Sequence, residues 1–441
     1  MEKNPTDTKS KIYDRLAFNV KTKEHRDGLL KSRHDKIFRE LVNKDTSLIL
    51  EDPLENDLVL NMGPQHPATH GVLRVLLRLD GETVIKAIPE LGYLHRGYEK
   101  IAENMTYHEF IPHTDRLDYL SPLSNNTAIA LAIEKALGID TPQKAKWIRT
   151  LVSELARISS HLMAMGSTCM DVGAVTLLLW TFVEREKLYD IFEIFTGARF
   201  TTSYTRIGGV ANDIDDKSIS MIKEWAAQFP KELDYFGRLV HKNKIFVDRT
   251  AGVCVVSAEQ AIDLGLTGPT LRGSGVPRDL RKDEPYLLYD QLDFNVISYP
   301  EGDVWARYMV RIDEMLESLK IVNQLLENIP SGPIIANEPK AALPRKKEVY
   351  TKMEDLINDF MLINFGAEPE PGETYTAIEA PKGELGFFIV SDGKGEPWKM
   401  KIRSPSSGNL QGLPAMVEGS MIADVVAAIG SIDPVMGEAD K

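Results

Sequence analysis

Cysteine is nearly absent: Cys169 and Cys254 are the only two in 441 residues. That excludes a disulfide framework, and with no Cys-x-x-Cys pair the chain cannot hold an iron–sulfur cluster by itself. Long apolar runs are missing too. The most apolar stretch, Ala174 to Val183, is about ten residues long and ends in Glu184, Arg185, Glu186 and Lys187, far short of the ~20 needed to span a bilayer. Any membrane contact is therefore expected to be peripheral or through a partner. Positive charge is in deficit: 52 Lys and Arg against 65 Asp and Glu give a formal charge of −13. A surface that tracks a nucleic-acid backbone needs the opposite balance, so no nucleic-acid partner is expected. The glycine-rich stretch Gly265 to Gly275 lacks P-loop order, and no G-x-G-x-x-G follows a strand, which argues against nucleotide binding.

What is present fits a large folded body. The chain is 43% hydrophobic and long enough for two or three domains or one interlocked core. The first fifty residues differ, because Lys9, Lys11, Arg15, Lys21, Lys23, Arg26, Lys31, Arg33, Lys36 and Arg39 make them basic while the remainder is acidic. This segment reads either as a solvated, partly helical tail or as an arm lying on a partner. Interspersed Asp7, Asp14, Glu24, Asp27 and Asp35 are unlike a mitochondrial transit peptide, and no signal-peptide core follows; a bacterial, cytoplasmic protein is expected.

Periodicity predicts strands over Leu58 to Asn61, Val72 to Leu79 and Thr83 to Ile88, with a turn at Asp80-Gly81 and a stop at Pro89. The segment GPQHPATHG, Gly63 to Gly71, is then a stiff loop within a small antiparallel sheet. Ser121-Pro122 and Gly138 bracket a helix. A second helix starts at Thr141-Pro142, with a stripe of Ile148, Leu151, Leu155, Ile158, Leu162 and Met165 that stops at Gly166. A third runs from Val172 to Thr196, and further helices fit Asp215 to Phe229, Val304 to Glu327 and Lys347 to Phe365. Strands return at Thr374 to Glu379, Gly386 to Val390 and Trp398 to Arg403, the last with Trp398, Met400 and Ile402 facing one way. The expected class is α+β. A basic arm (1–55) precedes one body (56–441) made of a sheet with the histidine loop (56–90), a mainly helical part (91–365) and a β-rich end (366–441).

Candidate chemistry is sparse. His66 and His70 lie four apart, but Pro67 and the glycines argue against a helix, and no third ligand is near, so a metal site is not expected. A loop histidine there is either structural or a hydrogen-bond donor to a bound ligand. Asp115-Arg116-Leu117-Asp118-Tyr119 reads as a charged segment before a helix. Asp171 reads as a cap for the helix beginning near Val172. Glu154, Arg157 and His161 fall on one ridge beside the apolar stripe, either a solvated salt-bridge face or a partner surface with a half-buried, titratable His161.

Longer strings carry a resemblance. NMGPQHPATHGVLR, GYLHRGYEK, DRLDYLS, ELARISSHL, DLGLTGPTLRGSGVPRDLRK, APKGELGFFIVSDG, KIRSPS and DPVMG, in order from Asn61 to Gly437, resemble the 49 kDa-type, or D-subunit, family of respiratory complex I. That family is the quinone-site subunit of the proton-pumping NADH:quinone oxidoreductase, related to nickel–iron hydrogenase large subunits. Hydrogenases carry Cys-x-x-Cys pairs where this chain reads Asp118-Tyr119-Leu120-Ser121 and Val435-Met436-Gly437-Glu438. The thiolates for nickel and iron are missing, which opposes a hydrogenase and leaves room for an organic pocket.

The resemblance implies a fold similar to hydrogenase large subunits and roles for particular residues. His70 and Tyr119 would hydrogen-bond a quinone headgroup, and Asp171 would orient and charge-stabilise His70. Arg96 and His161 would face a four-iron four-sulfur cluster held by an adjacent small subunit. No cofactor would be bound by this chain alone, quinone would be the substrate, and NADH would bind elsewhere. Further implied partners are the 30 kDa-type subunit and the membrane subunit forming the quinone channel, on the cytoplasmic face of a bacterial inner membrane. The isolated chain would be inactive. The rival reading is a non-catalytic scaffold of a hydrogenase-related membrane complex.

Overall fold

Alternation of apolar residues builds the first layer. In the computed structural model, which describes residues 57–441, β1 (Asp57–Met62), β2 (Arg74–Asp80) and β3 (Thr83–Glu90) form a sheet in that order. The basic arm expected over 1–55 lies outside the described residues. Leu73, Val75, Leu77 and Leu79 are buried as a row, and β2 pairs antiparallel with β3 from Asp80↔Thr83 outward. Pro89 does not stop β3, which continues to Glu90 with Pro89 opposite Val75. As an edge strand of the sheet, β3 tolerates a residue without an N–H.

Helices of eight residues or more follow. They are α1 (Tyr107–Thr114), α2 (Pro122–Leu137), α3 (Gln143–Asp171) and α4 (Val175–Thr196). Ser121-Pro122 and Gly138 bracket α2 as expected, with Gly138 at φ +68°. The helix α3 instead runs through Gly166 to Asp171. That glycine marks a close approach rather than a stop: a Cβ there would lie 2.3 Å from Thr181 Oγ1 and 3.2 Å from Leu178 Cα, both on α4. The stripe from Ile148 to Met165 is buried throughout.

A two-residue hairpin, β4 (Thr205–Arg206) with β5 (Gly209–Val210), leads to α5 (Asp216–Val240). Asp215 caps α5, accepting from the Ser218 amide at 2.9 Å. The helix was expected to end at Phe229, yet it passes Pro230. Buried Leu233, Phe236 and Val240 continue its apolar face, and that burial, roughly 1.5–3 kcal/mol per side chain, offsets the ~3 kcal/mol cost of an internal proline. The helix α6 (Val304–Glu327) has the expected bounds. Lys347 to Phe365 is broken, giving a turn at Lys346–Val349 and then α7 (Met353–Phe365).

The second sheet, β6 (Gly372–Ala380), β7 (Gly383–Ser391) and β8 (Lys399–Arg403), is antiparallel. Met400 and Ile402 are buried, but Trp398 precedes β8 and is 68% exposed, so it does not share their face. After Arg403 the expected β-rich end becomes helical: Pro405–Gln411, Leu413–Val417, α8 (Ile422–Ile432) and Met436–Ala439. Val425, Ile429 and Met436 share a core with Val75, Leu77 and Val84. The last helices therefore pack on the first sheet, and Val59–Lys441 is one compact unit. Among the described residues no helix is long and apolar enough to cross a membrane.

Because α3 and α4 touch at Gly166, Gly166→Ala is expected to destabilise the protein. Overpacking costs about 1–3 kcal/mol, against ~1 kcal/mol gained in helix propensity. A lowered thermal unfolding midpoint is the expected result; an unchanged or raised midpoint would show that the contact yields freely.

Candidate functional site

The histidine loop divides its two imidazoles. His66 is exposed and caps the 3-10 turn Pro67–Thr69, its Nδ1 accepting from the Ala68 amide at 3.2 Å. His70 ends that turn in the left-handed region, φ +50°, a conformation uncommon for a residue with a Cβ. Its Nε2 lies 2.6 Å from Asp171 Oδ2, and since a carboxylate only accepts, Nε2–H is the donor. The other ring nitrogen, Nδ1, has no hydrogen-bond partner among the described residues.

Asp171 is the last residue of α3 and does not cap α4, which starts at Val175. The reach of α3 past Gly166 is what carries its carboxylate to His70. Gly430 on α8 completes the contact, because a Cβ there would stand 2.6 Å from Asp171 Oδ2 and 3.6 Å from His70 Nε2. Burial alone would lower the His70 pKa, but the hydrogen bond and charge of Asp171, helped by Asp433 and opposed by Lys382, hold it above its ordinary 6.5. A proton on both ring nitrogens is thereby favoured near neutral pH.

Tyr119 occupies the turn between α1 and α2, half-buried, with its ring centroid 6.4 Å from that of Phe200. Burial first, and then the Asp118 charge, raise its pKa above 10, so it keeps its proton. No described residue hydrogen-bonds its hydroxyl. Lys382 and Asp433 act on Tyr119 and on His70 alike, so the two donors sit in one electrostatic field.

The source of that field has no local signal in the sequence. Lys382, in the turn between β6 and β7, is fully enclosed; its Nζ donates to Asp433 Oδ2 at 2.8 Å and Ser160 Oγ at 3.0 Å and lies 3.7 Å from Asp118 Oδ2. Glu438 adds another buried carboxyl. Asp118, Lys382 and Asp433 lie in the strings DRLDYLS, APKGELGFFIVSDG and DPVMG, and Glu438 directly follows the last, but nothing in their spacing marks them as neighbours. Gly437 presses the Val435–Glu438 segment onto the Tyr119 turn, where a Cβ would lie 2.6 Å from the carbonyl oxygens of Arg116 and Leu117.

The ridge of Glu154, Arg157 and His161 is neither solvated nor half-buried: all three are at most 1% exposed. Glu154 contacts Arg157 and Arg281 and accepts from the Tyr289 hydroxyl at 2.6 Å. His161 Nε2 donates to Glu314 at 2.9 Å, and Arg272 joins Glu314 to Glu379 at 2.6 and 2.7 Å. Burial lowers the His161 pKa to about 4 despite Glu314. The imidazole is neutral, and this chain's own atoms cover it.

Arg96 is exposed in the loop before Tyr98, its guanidinium 6.0 Å from the Tyr98 ring centroid. It shares no contact with His161. No group of three or more His, Cys, Asp or Glu that could hold a metal occurs among the described residues. A cleft of about 700 Å³, bordered by His108, Thr202, Arg206 and Arg345, is not lined by His70, Tyr119 or Asp171.

Comparison with known proteins gives a consistent result. The family model described as respiratory-chain NADH dehydrogenase, 49 Kd subunit, matches residues 171–441. The chain is similar to the NADH-quinone oxidoreductase D-subunit 1 of Chloroherpeton thalassium, 56% identical over 93% of this chain and 94% of that protein. It is 54% identical to the NADH-quinone oxidoreductase D-subunit of Salinibacter ruber, over 88% of this chain and 87% of that one. With the corresponding protein of Methylacidiphilum infernorum the identity is 56%, over 87% and 92%.

The neutral His161 implies an acid-sensitive interior. Its folded pKa of about 4 lies below the ordinary 6.5, so the unfolded chain binds the extra proton first. Its contribution is fully present above the unfolded value and is lost as pH falls through the folded one, on the order of 3 kcal/mol. His161→Gln, which keeps a donor for Glu314, is expected to flatten that limb of denaturant midpoint against pH. Parallel acid limbs in variant and parent would contradict the assignment.

Proposed function

The chain belongs to the family of the 49 kDa subunit of respiratory-chain NADH dehydrogenase, and on that premise we propose that His70 and Tyr119 are the two hydrogen-bond donors that receive a quinone headgroup. As a core subunit of NADH:quinone oxidoreductase, it serves a reaction that adds two electrons and two protons to each quinone. The observation that carries the reading is the pair of donors, His70 Nδ1 and the Tyr119 hydroxyl, left without protein partners among the described residues beside a buried cluster of charge. Donors held ready where negative charge develops on the quinone oxygens stabilise that charge without reorganisation. His70 keeps a proton to give because Asp171 favours its charged form, and Tyr119 can supply the other.

A scaffold would have little use for this arrangement. Burying a lysine and several carboxylates costs several kcal/mol per ion unless every partner is well placed, and unpartnered donors at the rim add nothing to stability. A nickel–iron centre does not fit either. The two segments where hydrogenase large subunits carry their cysteine pairs lie close together, Gly437 of the second pressing on Arg116 and Leu117 just before the first, which supports a shared ancestry of fold. They offer carboxylates, a lysine and a tyrosine, and no thiolate.

Electrons come from outside the chain: a four-iron four-sulfur cluster in a small neighbouring subunit supplies them. Arg96, exposed at the rim, is the cation that faces that cluster, whereas His161, enclosed and neutral, acts on it only as a fixed dipole. NADH binds a further subunit. The 30 kDa-type subunit and a membrane subunit that admits the quinone complete the surroundings, on the cytoplasmic face of a bacterial inner membrane. The exposed apolar residues Val175, Leu179 and Val183 of α4, just beyond Asp171, support burial against such a partner. The chain alone is inactive in this reading.

Tyr119→Phe tests it. Losing a hydrogen bond to a charged intermediate costs about 1.5–3 kcal/mol, roughly ten- to a hundredfold in rate. Quinone-dependent NADH oxidation by the intact complex is expected to fall by that factor while oxidation with an artificial acceptor is kept. Full quinone turnover in the variant would refute the assignment.

A further inference from the structure

Behind Tyr119 stand two carboxylates that are each half-satisfied. Asp118 Oδ1 accepts from the Leu120 amide at 3.1 Å, but its Oδ2 has no hydrogen-bond partner, the Lys382 ammonium being 3.7 Å away. Glu438 Oε1 accepts from the amide and hydroxyl of Ser406, and its Oε2 has no partner. Both residues are 1% exposed. Gly437 makes the approach possible, since any Cβ would strike the carbonyls of Arg116 and Leu117.

The charges around the pair fall short of what full ionisation needs. Asp118, Asp433 and Glu438 share a single enclosed ammonium, Lys382; Arg311 acts on Asp433 from α6 but donates to the Arg307 and Ser431 carbonyls. Arg185 acts on Asp118 from α4, and its guanidinium is already engaged with the Tyr189 hydroxyl and the Phe182 ring. Lys441 lies toward Glu438 but donates to the Ile402 carbonyl. Asp440 turns away to the amides of Gly92 and Leu94. Carboxylates crowded in a low-dielectric interior do not all ionise. Burial, and then the Asp118 charge, push Glu438 up to about 8, and burial raises Asp118 as well.

We propose that Asp118 and Glu438 hold one exchangeable proton between them and pass it toward Tyr119 when quinone is reduced, making Glu438 the reserve acid of the site. The proposal rests on the reading of Tyr119 as a quinone donor. The electron pair comes from NADH through the neighbouring subunits, and none of it passes through these residues. As the quinone oxygen takes the hydroxyl proton, the Tyr119 O–H bond breaks. The proton held by Glu438 passes to Asp118 and from Asp118, the chain neighbour of Tyr119, to the phenolate, and Glu438 then takes one replacement proton from solvent. Glu438 is thus a positioning and proton-holding group that does not touch the substrate.

Glu438→Gln in the intact complex, assayed for NADH:quinone turnover across pH, tests the idea. The parent's turnover is expected to decline as pH rises through about 8, and the variant's to be lower by about tenfold or more and without that decline. Oxidation with an artificial acceptor is expected to stay at the parent rate. Combining it with Asp118→Asn should be no worse than the poorer single variant, because one shared proton can be lost only once. Glu438→Asp, which keeps an acid, should recover turnover with a displaced pH profile. A parental rate and profile in Glu438→Gln, or additive losses in the double variant, would overturn the proposal.

Should Glu438→Gln fail to assemble, infrared difference spectra of the parent complex decide. A buried protonated carboxyl that changes on quinone reduction supports the reserve acid, and silence in that region overturns it. If Tyr119→Phe loses turnover while Glu438→Gln does not, this proposal alone falls. Full turnover in Tyr119→Phe would remove the reading beneath it.

Discussion

The buried ammonium of Lys382 ties the molecule together. An enclosed lysine without partners costs several kcal/mol, so the fold must bring acceptors to it, and it draws them from places far apart in the chain. Ser160 comes from the middle of α3, Asp433 from the C-terminal end of α8, and Asp118 from the turn before α2. Those contacts hold the middle of α3, the end of α8 and the Tyr119 turn around the turn between β6 and β7. The charge of the same group reaches His70 and Tyr119, so the interaction that organises the core also sets the field at the site.

Around this centre the interior is divided between rigid and reactive polarity. Glu154, Arg157, Arg281, Asp279, Arg272, Glu379, Glu314 and His161 form a linked network with most of its charges matched. Linked networks of this kind favour one packing, and the open groups of this one are donors, Arg157 Nη1 and Arg272 Nη2. Near Tyr119 the open groups are carboxylate oxygens instead, Asp118 Oδ2 and Glu438 Oε2. The contrast lies within one chain: unmatched donors in one buried network and unmatched acceptors in the other.

Legibility followed locality. The bounds of α2 and α6 and the buried row of β2 were readable because caps, turn glycines and alternation act within a few residues. Gly166 and Pro230 look like stops in sequence, and tertiary packing overrode both: Gly166 is small to let α4 approach, and Pro230 sits in a helix whose apolar face continues beyond it. Asp171 resembled a cap because the end of α3 was placed too early. His161 resembled a surface residue because its partners, Glu314 and the arginines beyond it, lie more than a hundred residues away. Lys382, Asp433 and Glu438 gave no local signal for the same reason. Choosing His70 over His66 came from resemblance, and the geometry supplies a cause for the difference, one imidazole capping a turn and the other held by Asp171.

The central claim is that His70 and Tyr119 present two ready donors to one headgroup. A structure of the intact complex with a quinone or quinone-site inhibitor bound tests it most directly. The account predicts one ligand oxygen within hydrogen-bond distance of His70 Nδ1 and the other at the Tyr119 hydroxyl, with the His70–Asp171 contact kept. A headgroup bound away from both residues, or touching His66 in place of His70, would contradict it.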